Sequence, residues 1–152
     1  LKAYITYLGG MAVMGTVIRA KLSENNKYFV EKHRYYELKH FCLQYPDWKK
    51  GYSEIEYIRS TSFDPCVFSS QGDPGDPTYE LVEQRSLYFD RVMLIEQAVV
   101  AADSELMNYI LKAVTEGLSY TYLKSRLEIP CSRDVYYDRY RKFFWLLDKS
   151  RN

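Results

Sequence analysis

The run CSRDVYYDRYRK, from Cys131 to Lys142, holds three arginines, two aspartates and three tyrosines at helical spacings. Arginine can donate two bonds to guanine and aspartate can accept from the cytosine amine, so Arg133, Asp134, Tyr137 and Arg141 have the chemistry to read base edges. Lys124, Arg126, Arg139 and Lys142 lie around them. Their charges suit phosphate oxygens, which fix position rather than sequence. The competing reading is a solvated network in which Asp134 and Asp138 pair with Arg141 and Lys142, worth a few tenths of a kcal/mol per pair.

No catalytic constellation stands beside them. His33 and His40 are the two imidazoles of the chain, and each is expected to be a half-buried structural histidine. Cys42, Cys66 and Cys131 are odd in number and unpaired in spacing, which fits reduced thiols in a cytosolic protein. Together with the two histidines they match no zinc-ligand pattern. Carboxylates are interspersed with bases rather than gathered for a cation. The sequence therefore reads as a binding protein, with no enzyme activity, cofactor or metal expected.

The 21 basic and 20 acidic residues leave a formal charge of +1, so only their distribution is informative. From Gly117 onward eight bases face four acids, a net of +4, which leaves −3 for the rest. The basic third is the C-terminal one.

The elements that would position these residues are helices, and the expected fold class is all-α. Ser132 caps a helix reaching about Lys149, on which Tyr136, Tyr140, Phe143 and Leu147 form one apolar stripe and Asp134, Tyr137, Asp138, Arg141 and Trp145 lie opposite. Ser119 caps a short helix from Tyr120 to Leu127, and the "EIPC" turn joins the two. With the helix opened by Asp103 and closed by Gly117, this is the outline of a helix-turn-helix.

Upstream, Pro77 opens a helix of more than six turns over residues 78–101, with Leu81, Leu87 or Tyr88, Val92, Ile95 and Val99 on one side. That stripe is a brace or the seam of a homodimer. Residues 60–77 concentrate Ser, Gly, Asp and Pro, as a linker or long surface loop does. The "GDPG" within it lacks the Lys-Ser/Thr and the preceding strand of a phosphate loop. Residues 23–59 read as an N-terminal helical region: Phe29, Tyr36, Phe41 and Leu43 mark a helix that stops before Pro46, while Ser53–Ser60 fits helix or extended chain equally. Residues 1–22 read as an extension outside the domain. Their uncharged run from Tyr4 to Ile18 is broken by Gly9, Gly10 and Gly15 and is shorter than the roughly 20 apolar residues of a membrane span. An alternative start at Met11 or Met14 is a further expectation for this region.

The C-terminal part, "SYTYLKSRL" followed by "IPCSR" and "VYYDRYRKFFWLL", resembles the phage late-gene transcriptional activators of the RinA/ArpU type, from prophages of Gram-positive bacteria. The likeness extends over roughly Tyr28 to Arg151. It implies a fold related to the sigma-factor region that reads the promoter −35 element, with Ser132 opening the recognition helix and Arg133, Tyr137 and Arg141 facing DNA. It further implies double-stranded DNA and host RNA polymerase as partners, a cytoplasmic location in the bacterial host, and no membrane association. Two other readings suit a small helical phage protein: a terminase-like DNA-packaging adaptor, and an inhibitor that binds a host machine such as RNA polymerase or a CRISPR-type defence nuclease.

Overall fold

The computed structural model describes residues 26–61 and 77–151, and every regular element among them is a helix. Six are present: α1 (Lys32–Leu43), α2 (Tyr45–Thr61), α3 (Pro77–Ala102), α4 (Met107–Glu116), α5 (Tyr120–Arg126) and α6 (Arg133–Ser150). The fold is all-α. The extension, and the greater part of the Ser/Gly/Asp/Pro-rich stretch, lie outside the described residues.

Only Gln44 separates α1 from α2. Its carbonyl accepts from Asp47 N and Trp48 N, so one residue ends one helix and begins the next. Pro46 falls in the first turn of α2, where its missing N–H breaks no helical bond. The stretch Ser53–Ser60, which the sequence leaves open, is helical.

On α1 the buried face differs from the aromatic pattern in the sequence. Leu38 and Cys42 are fully buried, whereas Phe29 and Leu43 are 39% and 38% exposed. Tyr35 and Phe41 pack against the core from its edge. The face is thus set by residues 35, 38 and 42, and a cysteine serves as a small apolar side chain. Burial pushes the Cys42 thiol up to about 12.

α3 runs antiparallel to α2, since Tyr45 and Lys49 meet Glu96 while Tyr52 and Glu56 meet Arg85. Its second half enters the main core through Ile95, Ala98, Val99 and Ala102. In its first half Tyr88, not Leu87, turns inward; Leu87 is exposed. Val30, Leu38, Cys42, Tyr45 and Trp48 belong to the same core as the buried residues of α3 to α6. The helices on either side of residues 60–77 therefore share one interior.

α6 lies against α3 and α1 and buries Tyr136, Tyr140, Phe143, Phe144 and Leu147. The expected apolar stripe is the core face, with Phe144 added to it. Each such side chain contributes about 1.5 to 3 kcal/mol on burial. Burial also raises the Tyr136 and Tyr140 hydroxyls above the ordinary tyrosine range.

Gly51 sits inside α2, where glycine costs about 1 kcal/mol relative to alanine. A Cβ there would lie 2.6 Å from Tyr88 Cε2 and 3.1 Å from Cδ2, so the glycine allows the two helices to approach over the tyrosine ring. Gly51→Ala is expected to lower the melting temperature in the parent and to raise it in a Tyr88→Ala background, where only the helix-propensity gain remains. Thermal unfolding of the four proteins of this cycle checks it; equal effects in both backgrounds would show that the ring does not hold the glycine in place.

Candidate nucleic-acid interface

The C-terminal three helices are joined by short, heavily bonded connections. Gly117 closes α4 in the left-handed conformation at φ 70°, and Leu118 N returns to the Ala113 carbonyl at 3.1 Å. Ser119 Oγ accepts from Tyr122 N and caps α5. Ser132 Oγ accepts from Val135 N and caps α6. Both serine caps stand where the sequence puts them.

Between them the turn is pinned at three points. Ile129 is fully buried and its N–H reaches the Leu123 carbonyl at 3.2 Å. Lys124 Nζ donates to the Ile129 carbonyl at 3.3 Å, and Tyr120 OH donates to the Cys131 carbonyl at 2.9 Å. Glu128 takes φ 52°, a left-handed conformation that costs a residue with a side chain about 1 kcal/mol or more. Anchoring by Ile129 and Lys124 on either side keeps it there.

Asp103 organises the approach to α4. Its Oδ1 accepts from Glu105 N and Leu106 N at 3.0 and 3.1 Å, so it caps the turn ahead of Met107. Its Oδ2 receives Arg139 Nε at 3.0 Å, and Arg139 Nη1 also reaches Asp138 at 3.2 Å. Lys142 Nζ donates to the Ala102 carbonyl at 3.0 Å. Two bases of α6 thus lock it to the α3–α4 junction.

The residues expected to contact DNA consequently fall into four groups. Arg133 and Asp134 are exposed in the first turn of α6, and Arg126 is exposed at the end of α5. Lys124 is exposed but holds the turn. Arg139 and Lys142 are half-buried and spent on the clamp, so the exposed bases of this set are confined to the tip. Tyr137 and Arg141 are half-buried: the Tyr137 hydroxyl and Arg141 Nε are buried without a hydrogen-bond partner among the described residues. Arg133 lies over the Tyr137 ring, 5.6 Å from its centroid.

Of the α6 residues expected opposite the core stripe, only Asp134 is exposed; Tyr137, Asp138, Arg141 and Trp145 are half-buried. Periodicity identifies the apolar side of a helix but not a second covering. Here Tyr28 meets Trp145 edge-on at 5.8 Å, Lys149 stands 3.8 Å over the same ring, and Tyr120 lies 6.3 Å from Tyr137. The supposed pairing of the aspartates with Arg141 and Lys142 does not form; Asp138 takes Arg139 instead. Sequence reasoning also passed over Val135, 44% exposed beside Arg133 and Asp134, and Tyr122, 37% exposed on α5. An apolar residue in the first turn of a capped helix, off the core stripe, was the available signal.

His33 and His40 are both exposed on α1, not half-buried as expected. Among the described residues no three His, Cys, Asp or Glu side chains gather as a metal site, and no helix is long and apolar enough to cross a membrane. No protein-family model matches the chain, and neither a curated protein nor a solved structure is significantly similar to it.

Two substitutions test the frame that holds the tip. Asp103→Ala removes a cap and strands Arg139, and is expected to cost about 1 to 3 kcal/mol in denaturant unfolding. Glu128→Gly relieves the left-handed strain and is expected to leave stability unchanged or raise it by up to about 1 kcal/mol, offset by the greater freedom of the unfolded chain. A clear loss of stability in Glu128→Gly would mean that the glutamate side chain holds the turn.

Proposed function

We propose that the chain binds duplex DNA through the α5–α6 tip and works as a phage transcriptional regulator, an activator acting with host RNA polymerase in the bacterial cytoplasm. One observation carries the DNA-binding part. The first turn of α6 presents Arg133, Asp134 and Val135 to solvent on a serine-capped helix end whose position is fixed by a stapled turn. In a helix-turn-helix it is this first turn that reaches base edges.

Arg133 donates to guanine, Asp134 accepts from a cytosine amine, and Val135 offers an apolar contact to a thymine methyl. Arg126 and Lys124 meet flanking phosphates. Tyr137 stands behind this set, under the Arg133 guanidinium. The activator role and the polymerase partner are supported by the resemblance of the C-terminal segment to the RinA/ArpU-type activators.

The test is selection of bound sites from randomised duplexes, followed by binding at several salt concentrations. Arg133→Ala is expected to lose roughly 1 to 3 kcal/mol on the selected site and to relax discrimination at one base position. Arg126→Ala is expected to weaken all duplexes alike and to reduce the slope of log affinity against log salt by about one. Arg139→Ala and Lys142→Ala are expected to lower the melting temperature instead, because they act in the clamp. Absence of duplex binding at low salt sinks the reading, and the inhibitor of a host machine then takes its place.

A further inference from the structure

The side of α6 turned away from the core stripe changes character along its length. At about 100° per residue, Arg141, Trp145 and Lys149 lie within about 60° of Asp134 on that side. Its first half carries Asp134 and Asp138. From Asp138 to Arg151 five bases face two acids, and arginines hold both: Asp138 meets Arg139 at 3.2 Å and Asp148 meets Arg34 at 2.6 Å.

The far end of this side is built from two segments of the chain. Tyr28, ahead of α1, meets the Trp145 ring edge-on at 5.8 Å. Lys149 Nζ stands 3.8 Å over the Trp145 ring, and Lys27 Nζ stands 4.6 Å over the Tyr28 ring. Both lysines are exposed, and neither they nor Arg141 enter an ion pair among the described residues. A ring face holds an ammonium group in place without neutralising it, so each lysine keeps its charge and donors for an anion. The acid nearest to Lys27 in sequence, Glu31, is followed by Lys32, which is exposed and equally without an ion pair among the described residues.

We infer that a duplex read at the first turn of α6 continues along this side of the helix, and that Lys149 and Lys27 take phosphates of its flank. Lys149 is 16 positions beyond Arg133, about 24 Å along the axis, the length of about seven base pairs. Cations so far apart on one helix suit a single long anion; a small anion would be satisfied at one lysine. Asp134 and Asp138 fall between them, where the groove presents base edges and cytosine amines rather than phosphates. The inference rests on duplex binding at the tip and extends it, since phosphate contacts fix position rather than sequence.

The experiment takes the duplex selected by the full chain and compares two lengths. One ends close to the base pair at which Arg133→Ala relaxes discrimination, and the other continues about seven base pairs further on each side. The unaltered protein is expected to bind the longer duplex roughly tenfold or more tightly at low salt, with a slope of log affinity against log salt steeper by about two. Lys27→Gln and Lys149→Gln should each lower that slope by about one, and together they should remove the preference for length while base discrimination stays intact. Lys50→Gln, an equal change of charge on α2, should alter neither. The length comparison uses the unaltered protein, so it does not depend on how the variants fold. The inference is overturned if the two lengths bind alike, or if the double variant keeps the preference for the longer one. Either result, with base discrimination present, leaves DNA binding at the tip standing; absence of any duplex binding at low salt removes both.

Discussion

The aromatic side of α6, packed between α1 and α3, is the constraint on which the remaining structure depends. Tyr136, Tyr140, Phe143, Phe144 and Leu147 fill the centre of the bundle, and Tyr35 closes edge-on against Phe144 at 4.9 Å. With that face fixed, the direction of every other α6 side chain is fixed as well. The clamp residues must meet the α3–α4 junction, Arg151 must arrive at Phe41, and exposed side chains are left to the two ends of the helix, Arg133 to Val135 and Lys149 to Ser150. A helix used this heavily for packing has little surface left over for recognition. The exposed first turn is small, but it is held by the serine cap and the stapled turn before it.

The sequence made most helix boundaries and the α6 core stripe legible, because caps and periodicity are local signals. Ser119, Ser132 and Gly117 each do what their residue type suggests at that position. The packing of α1 was harder to read. Its aromatic residues stand out among charges, yet the side chains that reach the interior are Leu38 and Cys42, which no composition argument singles out. The fate of Tyr137, Arg141 and Trp145 was not legible either. What covers them, Tyr28 and Tyr120 among others, comes from other parts of the chain, and helical periodicity carries no information about it.

The basic character of the C-terminal third also changes meaning once contacts are assigned. Arg139 and Lys142 join α6 to the α3–α4 junction, Arg151 lies on Phe41 and reaches Glu37, and Lys149 stands over Trp145. These are bonds within the fold, where a cation satisfies a carbonyl, a carboxylate or a ring face. An excess of arginine and lysine on paper thus overstates the positive field offered to a polyanion. Of the bases in that third, the exposed ones are Lys124, Arg126 and Arg133 around the α5–α6 tip and Lys149 near the end of α6.

The pairing of α1 with the end of α6 also bears on the order in which the molecule can be made. Arg34 meets Asp148 at 2.6 Å and Arg151 meets Glu37 at 3.3 Å, each across 114 positions of the chain. At ordinary rates of synthesis, α1 leaves the ribosome roughly ten seconds before its partner exists. During that interval the Leu38 and Cys42 face has only α2, and then α4, against which to shelter. Nascent chains halted ahead of α6 therefore carry an uncovered apolar seam, the kind of surface that holding chaperones engage, and the last helix acts as the closing step of assembly.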